Sequence, residues 1–197
     1  EVFITVASHE LKTPMTVLRG YVDLLQRYGT NQTLTPEQLQ RTLGALSSQV
    51  SRLDNLMDIL WDLSRIQIGR LSLSFEPVDL CALTARLVEE IRPELERHTI
   101  ELSYPETPLV VEGDVPRLEQ IIRNLLHNAI KYSPEGGPVN VFLESEGTYA
   151  ALAVSDRGLG IPAEAIPHLF ERFFRVKAAT GRPTEGLGVG LYVVREL

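Results

Sequence analysis

The sequence predicts an α+β fold in two parts, a helical hairpin followed by a layer of helices and antiparallel strands. Two observations carry this. Apolar residues recur in seven-residue steps up to Leu60, and alternating short runs with glycine-rich breaks begin only after Ile68-Gly69-Arg70. The length of 197 residues, against about 150 for a usual domain, leaves room for two small units.

The first helix rests on Phe3, Ala7, Pro14, Val17, Tyr21, Leu24 and Tyr28. The second rests on Leu39, Leu43, Leu46, Val50, Leu53, Met57 and Leu60. Alternating three- and four-residue steps place helices along a shallow seam. The segment from Gly29 to Pro36 breaks the pattern. Thr35 reads as an N-cap, Pro36 as a first-turn residue, and Gln38 completes a box-like start. Two helices cannot bury both flanks of such stripes, so a homodimer forming a four-helix bundle is expected. The hairpin is assigned to residues 1–68 and the second domain to 69–197.

In the second part, Leu71-Ser72-Leu73-Ser74-Phe75 alternates and predicts a strand. Asp79 caps a helix running to about Arg97. Thr99 to Tyr104 and Leu109 to Glu112 predict strands, and Asp114 or Val115-Pro116 opens a helix to Lys131. Ser133 to Gly137 reads as a turn. Val139 to Glu144 and Tyr149 to Val154 predict a hairpin. A short helix around Ala163 to Leu169 and another beginning near Val189 complete the set.

The composition, 44% hydrophobic and 23% charged, is that of a globular chain. A net charge of -7 argues against a general nucleic-acid or anionic-membrane surface. One cysteine, Cys81, excludes an internal disulfide framework. No run of about 18 apolar residues is present to span a membrane, so membrane attachment is expected only through a segment outside this sequence. A cytoplasmic location is the matching expectation.

Five stretches carry chemistry. In Ser8-His9-Glu10-Leu11-Lys12-Thr13-Pro14, His9 falls on the flank of the stripe, about 110–120° from its centre. A neutral imidazole there is a nucleophile at one nitrogen, and Glu10 can take the proton of the other. The plain alternative is a solvated helix histidine. A zinc-protease reading fails because Thr13, not histidine, follows Lys12.

In Asn124-Leu125-Leu126-His127-Asn128-Ala129-Ile130-Lys131-Tyr132, the residues Asn124, Asn128 and Lys131 fall within about 80° on a helix. Two amides and a cation suit a metal-bound polyphosphate, with an amide oxygen on Mg²⁺ and lysine on phosphate oxygens. An ordinary polar helix face is the alternative. Asparagine's poor fit to helix interiors tells against that alternative.

Asp156-Arg157-Gly158-Leu159-Gly160 follows a predicted strand. Its glycines permit close backbone approach, and its aspartate can accept a hydrogen bond from a base amino group. Gly186-Leu187-Gly188-Val189-Gly190 opens a helix and offers N–H groups to phosphate. It matches neither a dinucleotide fingerprint nor a P-loop. Between them, Arg172, Arg175 and Lys177 in Phe170-Glu171-Arg172-Phe173-Phe174-Arg175-Val176-Lys177 form a local basic cluster that suits a phosphate-facing lid.

Taken in order, these stretches resemble the five boxes of the sensor histidine kinases of bacterial two-component systems, over essentially the whole length. S-H-E-L-K-T-P looks like the H box and N-L-L-H-N-A-I-K-Y-S-P the N box. D-R-G-L-G looks like the first glycine box, F-E-R-F-F-R the F box and G-L-G-V-G-L the second glycine box. The resemblance implies a Bergerat-type ATP-binding α/β sandwich on a dimeric helical stalk. It implies Mg-ATP-dependent phosphorylation of His9 and relay to an aspartate of a response-regulator receiver domain. By position Glu10 is the base and Thr13 the polar residue linked to phospho-regulator hydrolysis. Asn128 is the Mg²⁺ ligand, Asn124 and Lys131 face phosphates, and Tyr132 packs near the nucleotide. Asp156 reads adenine, while Gly158, Gly160, Gly186, Gly188 and Gly190 shape lid hinges. Val189 stands where leucine is common in the family. The resemblance also implies further strands after residue 197.

Two other readings compete. An ATPase of the same nucleotide fold would lack a phosphoacceptor histidine on a dimer stalk, so the His9 box discriminates against it. A non-catalytic scaffold would have lost box residues, and none is missing.

Overall fold

The structure, a computed structural model, describes residues 2–31, 35–67, 72–176 and 187–197. Its contacts divide the chain into two compact units, Glu1–Leu71 with Arg182–Leu187 and Ser72–Gly181 with Gly188–Leu197.

The first unit is a helical hairpin. Helix α1 spans Val2–Asn31 and runs through Pro14. Helix α2 spans Pro36–Gln67. Its start is a reciprocal cap: Gln38 N–H donates to Thr35 Oγ1 at 3.2 Å, and Thr35 N–H donates to Gln38 Oε1 at 3.1 Å. Pro36 takes the first helical position, where its missing N–H leaves no bond unmade.

The seam differs in phase from the sequence reading. On α2 the buried positions are Thr42, Leu56, Asp62 and Leu63, with Leu46, Gln49, Leu53 and Leu60 half-buried. Buried Thr42 returns its hydroxyl to Gln38 C=O at 2.9 Å, which satisfies it. Leu39, Leu43, Val50 and Met57 are exposed. On α1, Ala7 and Pro14 are buried and Leu11, Leu18, Tyr21 and Leu25 half-buried, while Val17 and Leu24 are exposed. The apolar band on each helix is wider than one seam. The hairpin takes one side of it, and the other remains as a second stripe.

The second unit begins with a correction. Residues 72–75 do not form the expected strand; Leu71 lies outside the described residues. Ser74 N–H is taken at 2.8 Å by Asp114 Oδ2 instead of by a neighbouring strand. Strand β1 is Glu76–Asp79 and pairs antiparallel with β3, Val110–Gly113. Pro77 is tolerated there because β1 has a single partner strand.

Helix α3 spans Leu80–Ile91, and Asp79 caps it by accepting N–H bonds from Cys81 and Ala82. It ends before the expected Arg97 because Pro93 has no N–H to return to the helix; Arg92 before it stays helical. Arg92–Glu94 close it as a 3₁₀ turn. Strand β2, His98–Ser103, pairs parallel with β4, Gly137–Glu146, and β4 pairs antiparallel with β5, Tyr149–Ser155. Helix α4, Val115–Lys131, and α5, Gly190–Glu196, complete the unit, with a 3₁₀ turn at Ala163–His168.

Alternation on the strands sends Ile100, Val139, Val141 and Leu143 to one face. There they meet Leu83, Leu87 and Val88 of α3 and Ile122, Leu126 and Ala129 of α4 in a single core. Outside it, Arg86 pairs with Glu90 and Glu119, and Arg123 with Glu90, tying α3 to α4. These side chains stay in contact with solvent, so their contribution to stability is small. The helices and mixed sheet give the expected α+β class.

Candidate functional site

Helix α4 is the element on which the second unit's site is built. Asp114 accepts Arg117 N–H at 3.2 Å and fixes the first turn. From there the periodicity commits Ile122, Leu126 and Ala129 to the core. Asn124, Asn128 and Lys131 consequently share the other side. Both amides are half-buried and Lys131 is exposed. The Lys131 ammonium sits 4.9 Å above the Tyr132 ring. Tyr132 ends the helix by donating its N–H to Asn128 C=O at 2.9 Å.

The loop after β5 is joined to this helix end. Leu159 N–H donates to Tyr132 C=O at 3.0 Å. Asp156 Oδ1 accepts Ser133 Oγ–H at 3.2 Å and Gly158 N–H at 2.7 Å. A Cβ at position 158 would lie 2.1 Å from Tyr132 O and 2.7 Å from Ser133 Oγ. Only glycine lets the loop approach this closely. The sequence reading thus has a steric basis at Gly158. Gly160 has φ +68 and open space around its Cβ position.

Earlier along α4, a Cβ at Gly190 would lie 3.4 Å from Asn124 Oδ1, so α5 begins against the first amide. Gly188 has φ +67, and a Cβ there would lie 2.7 Å from Phe174 O. The glycine stretch and the Phe170–Arg175 stretch therefore touch. Phe173 is the one non-glycine residue with positive φ among the described residues, at 65. Gly186 and Lys177 lie outside the described residues.

Arg172 has a partner the sequence did not suggest. Its guanidinium lies 4.5 Å from the Tyr192 ring centroid and donates to Tyr192 Oη at 2.5 Å. Ser133, read only as part of a turn, likewise contacts a site residue directly. Neither bond leaves a signal in the sequence, because each joins residues about 20 positions apart or more.

His127 lies between the two asparagines. Desolvation pushes its imidazole below the ordinary value, although the residue keeps an exposed face. The Arg123 charge acts in the same direction, and Glu94 opposes.

The other candidate residues belong to the first unit. His9, Glu10 and Thr13 lie on α1. Glu10 is half-buried and Thr13 exposed; the His9 side chain lies outside what the structure describes. Thr13 follows His9 by four residues and therefore lies one turn along the same face. Beside this stretch, Ala7, Ser8, Leu11, Met57, Leu60, Trp61 and Ser64 line an apolar groove of about 290 Å³. No helix among the described residues is long and apolar enough to cross a membrane. Nor do the described residues contain a cluster of three or more His, Cys, Asp or Glu able to hold a metal.

Comparison with known proteins gives these halves a common context. Residues 1–69 match the His Kinase A (phospho-acceptor) domain. Residues 113–197 match the histidine kinase-, DNA gyrase B- and HSP90-like ATPase family. The sensor histidine kinase YkoH of Bacillus subtilis is 35% identical over 195 residues, 99% of this chain and 41% of YkoH. The signal transduction histidine-protein kinase/phosphatase MprB of Mycobacterium avium is 37% identical over 191 residues, 95% of this chain and 36% of MprB. The chain thus spans about two fifths of the length of these curated relatives. The solved histidine kinase AdeS of Acinetobacter baumannii superposes with a TM-score of 0.68 at 29% identity, covering 95% of this chain and 84% of AdeS. A solved mycobacterial sensor histidine kinase MprB superposes with a TM-score of 0.53 at 35% identity, covering 62% of this chain and 77% of that structure. With a phosphoacceptor-type hairpin, an ATPase-type second unit and these relatives, the chain belongs to the sensor histidine kinases.

Proposed function

We propose that this chain is a kinase core in which the second unit binds Mg-ATP and His9 on α1 receives the γ-phosphoryl group. In this reading residues 1–68 form the dimerisation and phosphotransfer domain and 69–197 the ATP-binding domain. The observation that carries it is the clamp between α4 and the Asp156 loop. That clamp puts a carboxylate acceptor beside a helix end bearing amides and a lysine, which suits a base at one end and phosphates at the other.

Asp156 accepts the adenine amino group. Tyr132 packs near the base. Asn124 and Lys131 hold phosphate oxygens. Gly158, Gly160, Gly186, Gly188 and Gly190 let the backbone bend around the nucleotide, and Arg172 neutralises charge that develops on the transferred group. The donor set fits a metal carried in by the nucleotide rather than a resident one, because α4 offers amide oxygens and no carboxylate cluster. Asn128 would hold that Mg²⁺, which shields the phosphate oxygens when bound. On the hairpin, Glu10 takes the His9 ring proton while the other nitrogen bonds to phosphorus, and ADP leaves. Phosphohistidine then passes its group to an aspartate of a response-regulator receiver domain. Phospho-regulator hydrolysis, assisted by Thr13, is the second activity, and the kinase/phosphatase name of the MprB relatives supports it. The reaction belongs in the cytoplasm, where ATP is held.

The test is retention of label from γ-labelled ATP. The wild-type chain should hold acid-labile, base-stable label. His9→Ala should hold none while binding ATP normally, and Asn128→Ala should lose Mg-ATP in calorimetric titration. Release of free phosphate with no protein-bound label would replace the kinase by an ATPase.

A further inference from the structure

The bond between Ser133 and Asp156 assigns a role to a residue outside the family boxes' charged and amide positions. Ser133 is buried at 3% exposure, directly after Tyr132. Its backbone is held from two sides. The carbonyl accepts Gly136 N–H at 2.9 Å within the turn, and it accepts His98 Nε2–H at 2.8 Å from the start of β2. The hydroxyl of this fixed residue donates to Asp156 Oδ1. Gly158 N–H donates to the same oxygen.

An exposed aspartate turns easily about its last side-chain bond, because that torsion has broad wells. Asp156 is exposed, yet one of its oxygens is shared by two donors in different directions. Among the described residues no bond is made to Oδ2. With Oδ1 pinned, Oδ2 keeps one direction and presents an acceptor already oriented toward a ligand. Orientation set in advance lowers the ordering cost of binding. A site built to accept a hydrogen bond also rejects analogues that lack the donor.

We propose that Ser133 is the positioning residue that sets base selectivity, by holding Asp156 so that its second oxygen meets an exocyclic amino group. The proposal rests on the reading of Asp156 as the base acceptor. Ser133 acts through Asp156 and touches no reacting atom.

The experiment compares two nucleotides on the whole chain, ATP and purine riboside triphosphate, which lacks the amino group. Affinities are read by displacement of a fluorescent ADP in Mg²⁺ buffer, with the melting temperature of each variant alongside. Wild type should prefer ATP. Ser133→Ala should weaken ATP about tenfold and leave the purine riboside analogue within about twofold. Asp156→Asn should abolish the preference, and adding Ser133→Ala to it should cost nothing more. A Ser133→Ala chain that loses both nucleotides equally has a merely structural serine, and one that loses neither has an idle one; either result overturns the proposal. If Asp156→Asn itself keeps the preference, the base-acceptor reading fails and the role of Ser133 fails with it. That outcome is distinct from failure of Ser133 alone, in which Asp156→Asn collapses the preference and Ser133→Ala does not.

Discussion

Two side chains on opposite halves of the protein make the sharpest tests at the scale of single residues. Thr13 is exposed on α1, four residues after His9. A hydroxyl there suits orientation of a water for in-line attack on an acyl phosphate, while in the proposed reaction attack by His9 depends on Glu10. Thr13→Ala should therefore slow loss of label from purified phospho-regulator by at least about tenfold, with a much smaller change in label gained from ATP. Equal proportional losses would reject the separation. His127 makes a pH test. Its folded value is lowered, first by desolvation and then by Arg123, against Glu94. Between that value and about 6.5, the unfolded chain binds more protons. Stability of the second unit should thus rise with pH through this window. The contribution is fully present above the unfolded value and is lost as pH falls through the folded one. Urea midpoints measured from pH 5 to 7 should show the slope, and His127→Gln should flatten it. The candidate residues were named from the sequence through family order. Their partners were not: Arg172 with Tyr192 and Asp156 with Ser133 are meetings made by the fold, and no periodicity encodes them.

At the scale of elements, caps were the most readable feature. Thr35, Asp79 and Asp114 each stand where a short acceptor precedes a helix, and each makes the bond its chemistry predicts. Strand limits were less readable, as Leu71–Phe75 shows: alternation alone does not supply a partner strand, and Asp114 took the Ser74 N–H first. The helical stripes were half legible. Seven-residue spacing located them, but a band wider than one seam does not say which edge the hairpin buries. The edge left outside includes Leu43 and Val50, 53% and 48% exposed and seven residues apart. Covering a leucine or valine fully is worth about 1.5–3 kcal/mol, so a row of them is enough to hold two copies together. Leu43→Glu with Val50→Glu should shift the chain from dimer to monomer in light scattering after size exclusion. A dimer mass retained at micromolar protein would place the interface elsewhere.

For the whole molecule, division into two compact units predicts two handles on stability. Raising protein concentration should raise the unfolding midpoint of the hairpin unit, because mass action favours the dimer proposed for it. Adding an ATP analogue at about 100 times its dissociation constant should stabilise the second unit by about 2.7 kcal/mol. Tyrosine fluorescence and helical circular dichroism in urea, followed with and without nucleotide, would check this. A nucleotide that moved both transitions equally would show one cooperative block. The turn at Ser133–Gly137 carries a further meaning for this unit. Gly137 N–H bonds to Arg97 C=O at 2.9 Å, and His98 stands opposite Gly137 where β2 and β4 begin their parallel pairing. Parallel strands cannot be joined by a tight hairpin; here β3 and α4 must be threaded between them. Pairings so distant along the chain form late during folding, because loop closure is costly until many contacts repay it. The clasp on Asp156 lies at that same junction. Nucleotide recognition should therefore be the last property the second unit acquires as it folds, and the first it loses when the sheet begins to open.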